Sequence, residues 1–237
     1  MRSGEERRCC DRLGSAGASF LLVFGVLLPY LAFKSARRVA TRPLPPKKPY
    51  FTSVIVQLLI FGAAAVVTGR LEHIELFPRT APPAGSWGWG LLALGVLVAG
   101  MRPLWRRRVV ERSRRVWLFM PRDATERALW MGSSLAAGIC EELAYRGVLT
   151  TLLFRLMGSL PAAILLSAAI FAFSHFMQGT KSMLIIFGMA LTFQALAWTS
   201  GSLYVPMAVH VVYDIAAGLH YGYFGRTLGY PDEPLPA

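Results

Sequence analysis

The chain is short of charge over its second half. Between Ala128 and Gly225 only six residues are Asp, Glu, Lys or Arg: Glu141, Glu142, Arg146, Arg155, Lys181 and Asp214. Over the whole chain 16% is charged, against about 25% in a soluble domain. With 54% hydrophobic residues and a mean hydropathy of +0.46, that scarcity excludes a soluble globular protein. Cysteine is also scarce. Cys9, Cys10 and Cys140 make an odd set whose spacing fits no disulfide or zinc framework. The zinc-protease pattern His-Glu-x-x-His is absent. No internal repeat is visible, and no pair of Gly/Pro-broken spans marks two transporter-like halves. The first apolar run lacks a small-residue cleavage site after it, so it reads as a retained span rather than a signal peptide.

What is present is a series of apolar runs approaching the roughly 20 residues that a spanning helix needs. They predict an all-α, polytopic membrane bundle of about seven transmembrane helices with a polar cavity inside the membrane. The expected spans are 14–33, 50–69, 87–101, 124–154, 160–176, 181–198 and 203–222. Pro29 should kink the first. The third should be short, starting at Trp87 and Trp89. The fourth exceeds a bilayer's thickness and should tilt or break. Three regions follow: 1–123, an N-terminal region of about three spans; 124–225, the core that carries the chemistry; and 226–237, a polar, loose tail. Asp123 or Thr125 suits the cap of the fourth span, with Glu126 in its first turn.

The net charge of +12 does not point to nucleic acid, because no recognition module accompanies it. The basic residues cluster at span ends, in 34–48 and in 102–115, where seven arginines face Glu111 alone. That is the positive-inside pattern, and such loops adhere to anionic headgroups. It places the N-terminus outside and the C-terminus inside a multi-pass membrane, expected to be a bacterial inner membrane. Segment 105–120 mixes arginines with Val, Trp, Leu and Phe. It reads equally as an interfacial amphipathic piece or as a charged loop.

Titratable groups inside apolar spans are expensive, by roughly 2.5–3.5 kcal/mol each on insertion scales. They therefore mark a site. Glu142 and Arg146 are four apart on one helical face and can pair. Glu141 projects about 100° away and is free to face a cavity. His175 follows Phe171 by four residues. His210 and Asp214 are also four apart, a spacing that suits either a shared metal ion or an Asp orienting an imidazole. His73 and His220 have no evident catalytic partners and read as surface or interface residues. Cys140 reads as a packing residue.

The set Glu-Glu-x-x-x-Arg (Glu141, Glu142, Arg146), Phe-x-x-x-His (Phe171, His175) and His-x-x-x-Asp (His210, Asp214) resembles the CPBP family. That is the CAAX-protease and bacteriocin-processing group, also called Abi, and the resemblance covers about Ala128–Gly222. It implies an intramembrane endopeptidase that cuts near the C-terminus or membrane anchor of a membrane-associated protein or peptide substrate. Carried over, Glu141 and His175 activate water, His210 and Asp214 stabilise the oxyanion, and Glu142, Arg146 and Phe171 support them. Position 214 is Asp where many relatives have Asn. An ionised Asp cannot donate to an oxyanion. It must be protonated, orient His210, or ligate a metal. In the metal alternative Glu141, His175, His210 and Asp214 surround a divalent ion such as zinc. The metal-free glutamate mechanism is the expectation, since a positioned carboxylate suffices for base catalysis. A proton-coupled transporter and a non-catalytic, immunity-type membrane protein are the alternatives of other classes.

Overall fold

The structure is a computed structural model that describes residues 13–78 and 80–233. Cys9 and Cys10 lie outside the described residues. Helices account for all regular structure among the described residues. They are α1 (Ser15–Thr41), α2 (Lys47–Leu71), α3 (Ala84–Val110), α4 (Ala124–Glu141), α5 (Thr150–Met157), α6 (Leu160–Ser174), α7 (Thr180–Ser200) and α8 (Tyr204–Thr227). A π-helical stretch, Glu142–Leu149, joins α4 to α5 without a break. All seven expected spans coincide with helices. Of these, α1, α2, α3 and α7 are long and apolar enough to cross a membrane, and α6 is apolar but shorter.

Several expectations are corrected. The third helix is not short: α3 continues through Pro103 and Arg106–Arg108 to Val110, because Pro103 falls within a helix that tolerates it. Segment 105–120 therefore does not lie on the bilayer as one piece. Its first part is the end of α3, and its second is a 3₁₀ turn, Arg114–Phe119, whose Val116, Trp117 and Leu118 are buried against the end of the bundle. The first helix likewise runs to Thr41, into the basic segment. Ahead of Pro29, which lacks an N–H, α1 widens into a π turn at Val23–Leu27. His175 ends α6 rather than lying inside it. His220 is half-buried beside Trp105. The described part of the tail is tied down: Tyr230 is buried, its hydroxyl donates to Ser113 O at 3.1 Å, and Arg122 pairs with Asp232.

The start of α4 follows from local chemistry. Asp123 Oδ1 accepts from Glu126 N at 2.7 Å, and Glu126 accepts from the buried Lys47 ammonium at 3.3 Å. Farther along, α4 meets α8 at Gly138. A Cβ there would sit 2.7 Å from Val211 N, a backbone atom that cannot move aside cheaply. Between helices in lipid, hydrophobicity supplies little drive, so close backbone approach through small residues is what holds them. This contact lies one turn before Glu141 and beside His210, so it sets the distance between the two halves of the site.

Past Glu141 every residue of the π stretch is buried. In the widened turns the Tyr145 carbonyl accepts from Thr150 N, five residues on rather than four, and takes side-chain donors as well. It accepts from Thr150 Oγ1 at 2.8 Å and from Ser167 Oγ of α6 at 3.1 Å. Phe20, Phe24, Tyr145, Leu149, Leu152 and Phe171 form the core around this stretch.

Candidate active site

Four side chains from three elements line one cavity of about 1030 Å³: Glu141 at the end of α4, His175 at the end of α6, and His210 and Asp214 on α8. Glu142 and Arg146 do not line it. They stand directly behind, with Arg146 Nη1 donating to Glu142 Oε1 at 3.0 Å, both side chains essentially inaccessible. The i,i+4 ion pair read from the sequence is present.

The same Glu142 Oε1 also lies 2.9 Å from His210 Nδ1. A carboxylate paired with arginine can only accept, so Nδ1 carries the proton. That leaves His210 Nε2 facing the cavity, 3.8 Å from Glu141 Oε2 and 3.6 Å from Asp214 Oδ2. Glu142 is therefore both a brace for Arg146 and the group that orients His210. Sequence reasoning gave the orienting role, as one option, to Asp214. The structure places Asp214 at the other nitrogen.

His175 is set in a similar way. Its Nδ1 donates to Phe171 O at 2.8 Å, because a carbonyl only accepts, so its Nε2 is the free nitrogen. The Phe171 ring lies 4.5 Å from the His175 ring and under the Arg146 guanidinium at 4.3 Å. One aromatic side chain thus links the brace to the histidine.

Two contributors were missed. Phe193 of α7 stacks on His210 at 4.8 Å and is 5.4 Å from the Arg146 guanidinium. Tyr145 packs on Phe171, and its hydroxyl donates to Ser174 Oγ at 3.1 Å, next to His175. An aromatic residue in an apolar span carries no signal of its own. Tyr145, one residue before Arg146 in the first motif, was the more legible of the two.

Among the described residues, no group of three or more His, Cys, Asp or Glu side chains is arranged to hold a metal ion.

The segment that carries this geometry can be compared with known families. Residues 123–216 match the family model described as type II CAAX prenyl endopeptidase Rce1-like. The chain carries a CAAX-protease family segment. The match runs from the α4 cap, Asp123, to just past Asp214, so it includes all seven residues of the three motifs. No curated protein and no solved structure matches the chain. The apolar helices make it an integral membrane protein.

Proposed function

We propose that the protein is an intramembrane endopeptidase that hydrolyses a peptide bond near the C-terminus or membrane anchor of a membrane-associated substrate. The observation that carries this reading is the convergence of Glu141, His175, His210 and Asp214 on one cavity, with the charged brace held outside it. The family match agrees with it.

In the proposed reaction a water sits between Glu141 and His175 Nε2. Glu141 takes a proton from it as general base, and the resulting hydroxide attacks the scissile carbonyl. The carbonyl π electrons move onto oxygen. His210 lies beside that oxyanion and, when its ring carries both protons, donates through Nε2–H. Collapse of the tetrahedral intermediate breaks the C–N bond. Glu141 returns its proton to the leaving amine, which regenerates the base. Asp214 stands next to Nε2, where it either shares that proton or, protonated, donates to the oxyanion itself.

The direct test is cleavage of a prenylated peptide co-reconstituted with purified protein. Wild type should cut it, and Glu141→Ala should not. Equal rates would remove Glu141 from the mechanism, and flux across liposomes without proteolysis would favour the transporter reading. Asp214→Asn separates the two roles of Asp214. Retained activity means an oxyanion donor, since an amide can donate, and loss means that a carboxylate is needed beside His210. Metal analysis checks the metal-free chemistry. Stoichiometric zinc that disappears in His210→Ala would overturn it. The proposed setting, a bacterial inner membrane, is checked by fractionation.

A further inference from the structure

We propose that Trp130 is a positioning residue of the reaction: its indole N–H pins the turn of α8 that carries Asp214, and so holds Asp214 and His210 opposite Glu141. This rests on the endopeptidase reading and deepens it, because it adds a residue that works through Asp214 rather than on the substrate.

Trp130 lies on α4, outside the three motifs, and is half-buried in the wall of the cavity that holds Glu141 and Asp214. Its Nε1–H donates to the main-chain carbonyl of Asp214 at 2.9 Å. That carbonyl lies inside α8, where the helical ladder uses one lone pair and leaves the second for the indole. The ring comes this close because residue 218, one turn on, is glycine. A Cβ there would sit 2.2 Å from Nε1. The ring also meets Phe51 of α2 at 5.7 Å and Phe119 of the 3₁₀ turn at 6.1 Å, both edge-on. Aromatic neighbours on two elements fix the plane of the indole, and that aims the N–H. Ser133 and Ser134, in the same wall, donate to carbonyls of α4 itself: Ser133 to Leu129 O and Ser134 to Trp130 O, each at 2.8 Å. Trp130 therefore carries the hydrogen bond from this stretch to α8.

The position of the bond gives it a role. Helices α4 and α8 run antiparallel and touch at two glycines, Gly138 against Val211 and Gly218 against Trp130. At 1.5 Å of rise per residue the two contacts are about 10–12 Å apart along the helices. Asp214 falls between them. Gly138 sets the separation of the helices beside His210, and Trp130 fixes the backbone of residue 214 itself. From that backbone Asp214 Oδ2 reaches to 3.6 Å from His210 Nε2, which stands 3.8 Å from Glu141 Oε2. Without the indole bond this turn can shift against α4 while the Gly138 contact keeps the fold. A misplacement of about 1 Å at reacting groups costs on the order of 10²-fold in rate.

The test uses full-length protein in phosphatidylcholine vesicles, with the aspartate carboxyl carbons labelled with 13C. The chain has four such residues, Asp11, Asp123, Asp214 and Asp232, so the signal lost in Asp214→Asn is that of Asp214. Trp130→Phe keeps a ring and loses the N–H. It should move the Asp214 signal and lower kcat on the prenylated peptide by about 10–10²-fold, with KM within about twofold of wild type. Benzothienylalanine at position 130 has the indole's shape without its N–H. It should act in the same way, which separates the lost bond from a packing gap. Trp117→Phe is the control. Trp117 Nε1–H donates to Asp232 O at 2.9 Å, a bond of the same kind away from Asp214, so its loss should leave the Asp214 signal and kcat unchanged. An Asp214 signal that neither substitution at position 130 moves overturns the pin, whatever happens to kcat. An equal loss of kcat in Trp117→Phe overturns it as well, since general destabilisation would then suffice. So does a raised KM with unchanged kcat, which would make Trp130 a substrate contact. A moved signal in a protein whose wild type cleaves nothing would uphold the hold on Asp214 and sink the endopeptidase reading instead.

Discussion

Helix α3 and the continuous rod from α4 through the π stretch to α5 face the same apolar surroundings and meet them in opposite ways. Along α3 the buried residues are few, Ser86, Gly90, Trp105 and Val109, and side chains such as Leu91 and Leu92 point outward. Its composition alone suits it to lipid. The rod carries Glu141, Glu142 and Arg146, and its π stretch is buried throughout. Glu142 and Arg146 are buried there as a pair, and Glu142 also meets His210. A hydropathy criterion therefore selects α3 and passes over the rod, although the rod holds the chemistry. An apolar span reports where the membrane is, and a span that fails the criterion while surrounded by apolar ones reports where the function is.

Substitutions in the two regions sharpen this contrast. The largest effect is expected at Glu141. Its side chain is nearly buried in the cavity wall and takes no part in the brace, so Glu141→Ala should lower the cleavage rate by about 10²–10⁴-fold. Its thermal unfolding in detergent should stay close to that of wild type. Glu142→Ala comes next and reverses the pattern. It strands a buried arginine and releases His210, so unfolding should cost about 3–5 kcal/mol less, with activity lost as well. If Glu142→Ala melts like wild type, the brace is not structural.

Gly138→Val should be intermediate. Overpacking against the α8 backbone should destabilise by about 1–3 kcal/mol and reduce activity by separating Glu141 from His210. Leu91→Ala on α3 should change stability by less than about 0.5 kcal/mol, because the side chain leaves lipid for lipid. A loss as large as that of Gly138→Val would mean that α3 packs on something other than lipid.

The smallest effect concerns the cap of the rod. The Glu126 N–H and the Lys48 ammonium hold the Asp123 carboxyl below the usual carboxylate range. A carboxyl depressed in the folded state stabilises above its unfolded value, about 3.9, and that contribution is lost as pH falls through the folded value. Melting measured at about pH 5 and about pH 3 should show a drop that Asp123→Asn reduces, since Asn still caps but does not titrate. The exposed pair with Lys48 should also weaken with salt.

Much of this was legible in one dimension. Seven helices followed from apolar runs, and the start of α4 from Asp123 and Glu126. The pairing of Glu142 with Arg146 followed from a four-residue spacing. The ends of helices were less legible. Arginines near Arg102–Arg108 read as a loop, yet α3 continues through them, since arginine is a good helix former and its charge can reach past the bilayer edge. Val116, Trp117 and Leu118 read equally as part of an interfacial piece or of a charged loop, but the end of the bundle offered them a packing site.

By itself, the sequence determined the parts whose geometry is local: helix periodicity, caps, i,i+4 pairs, and which charges needed a reason to be buried. Only the tertiary structure decided how those parts serve one another. The bond between Glu142 and His210 joins residues 68 positions apart. It exists because Gly138 lets α4 and α8 touch, and because Phe171 and Phe193 fill the space around Arg146 and His210. Helical spacing is imposed by the backbone of a single segment. The register between two helices is decided by whichever side chains, or missing side chains, meet between them.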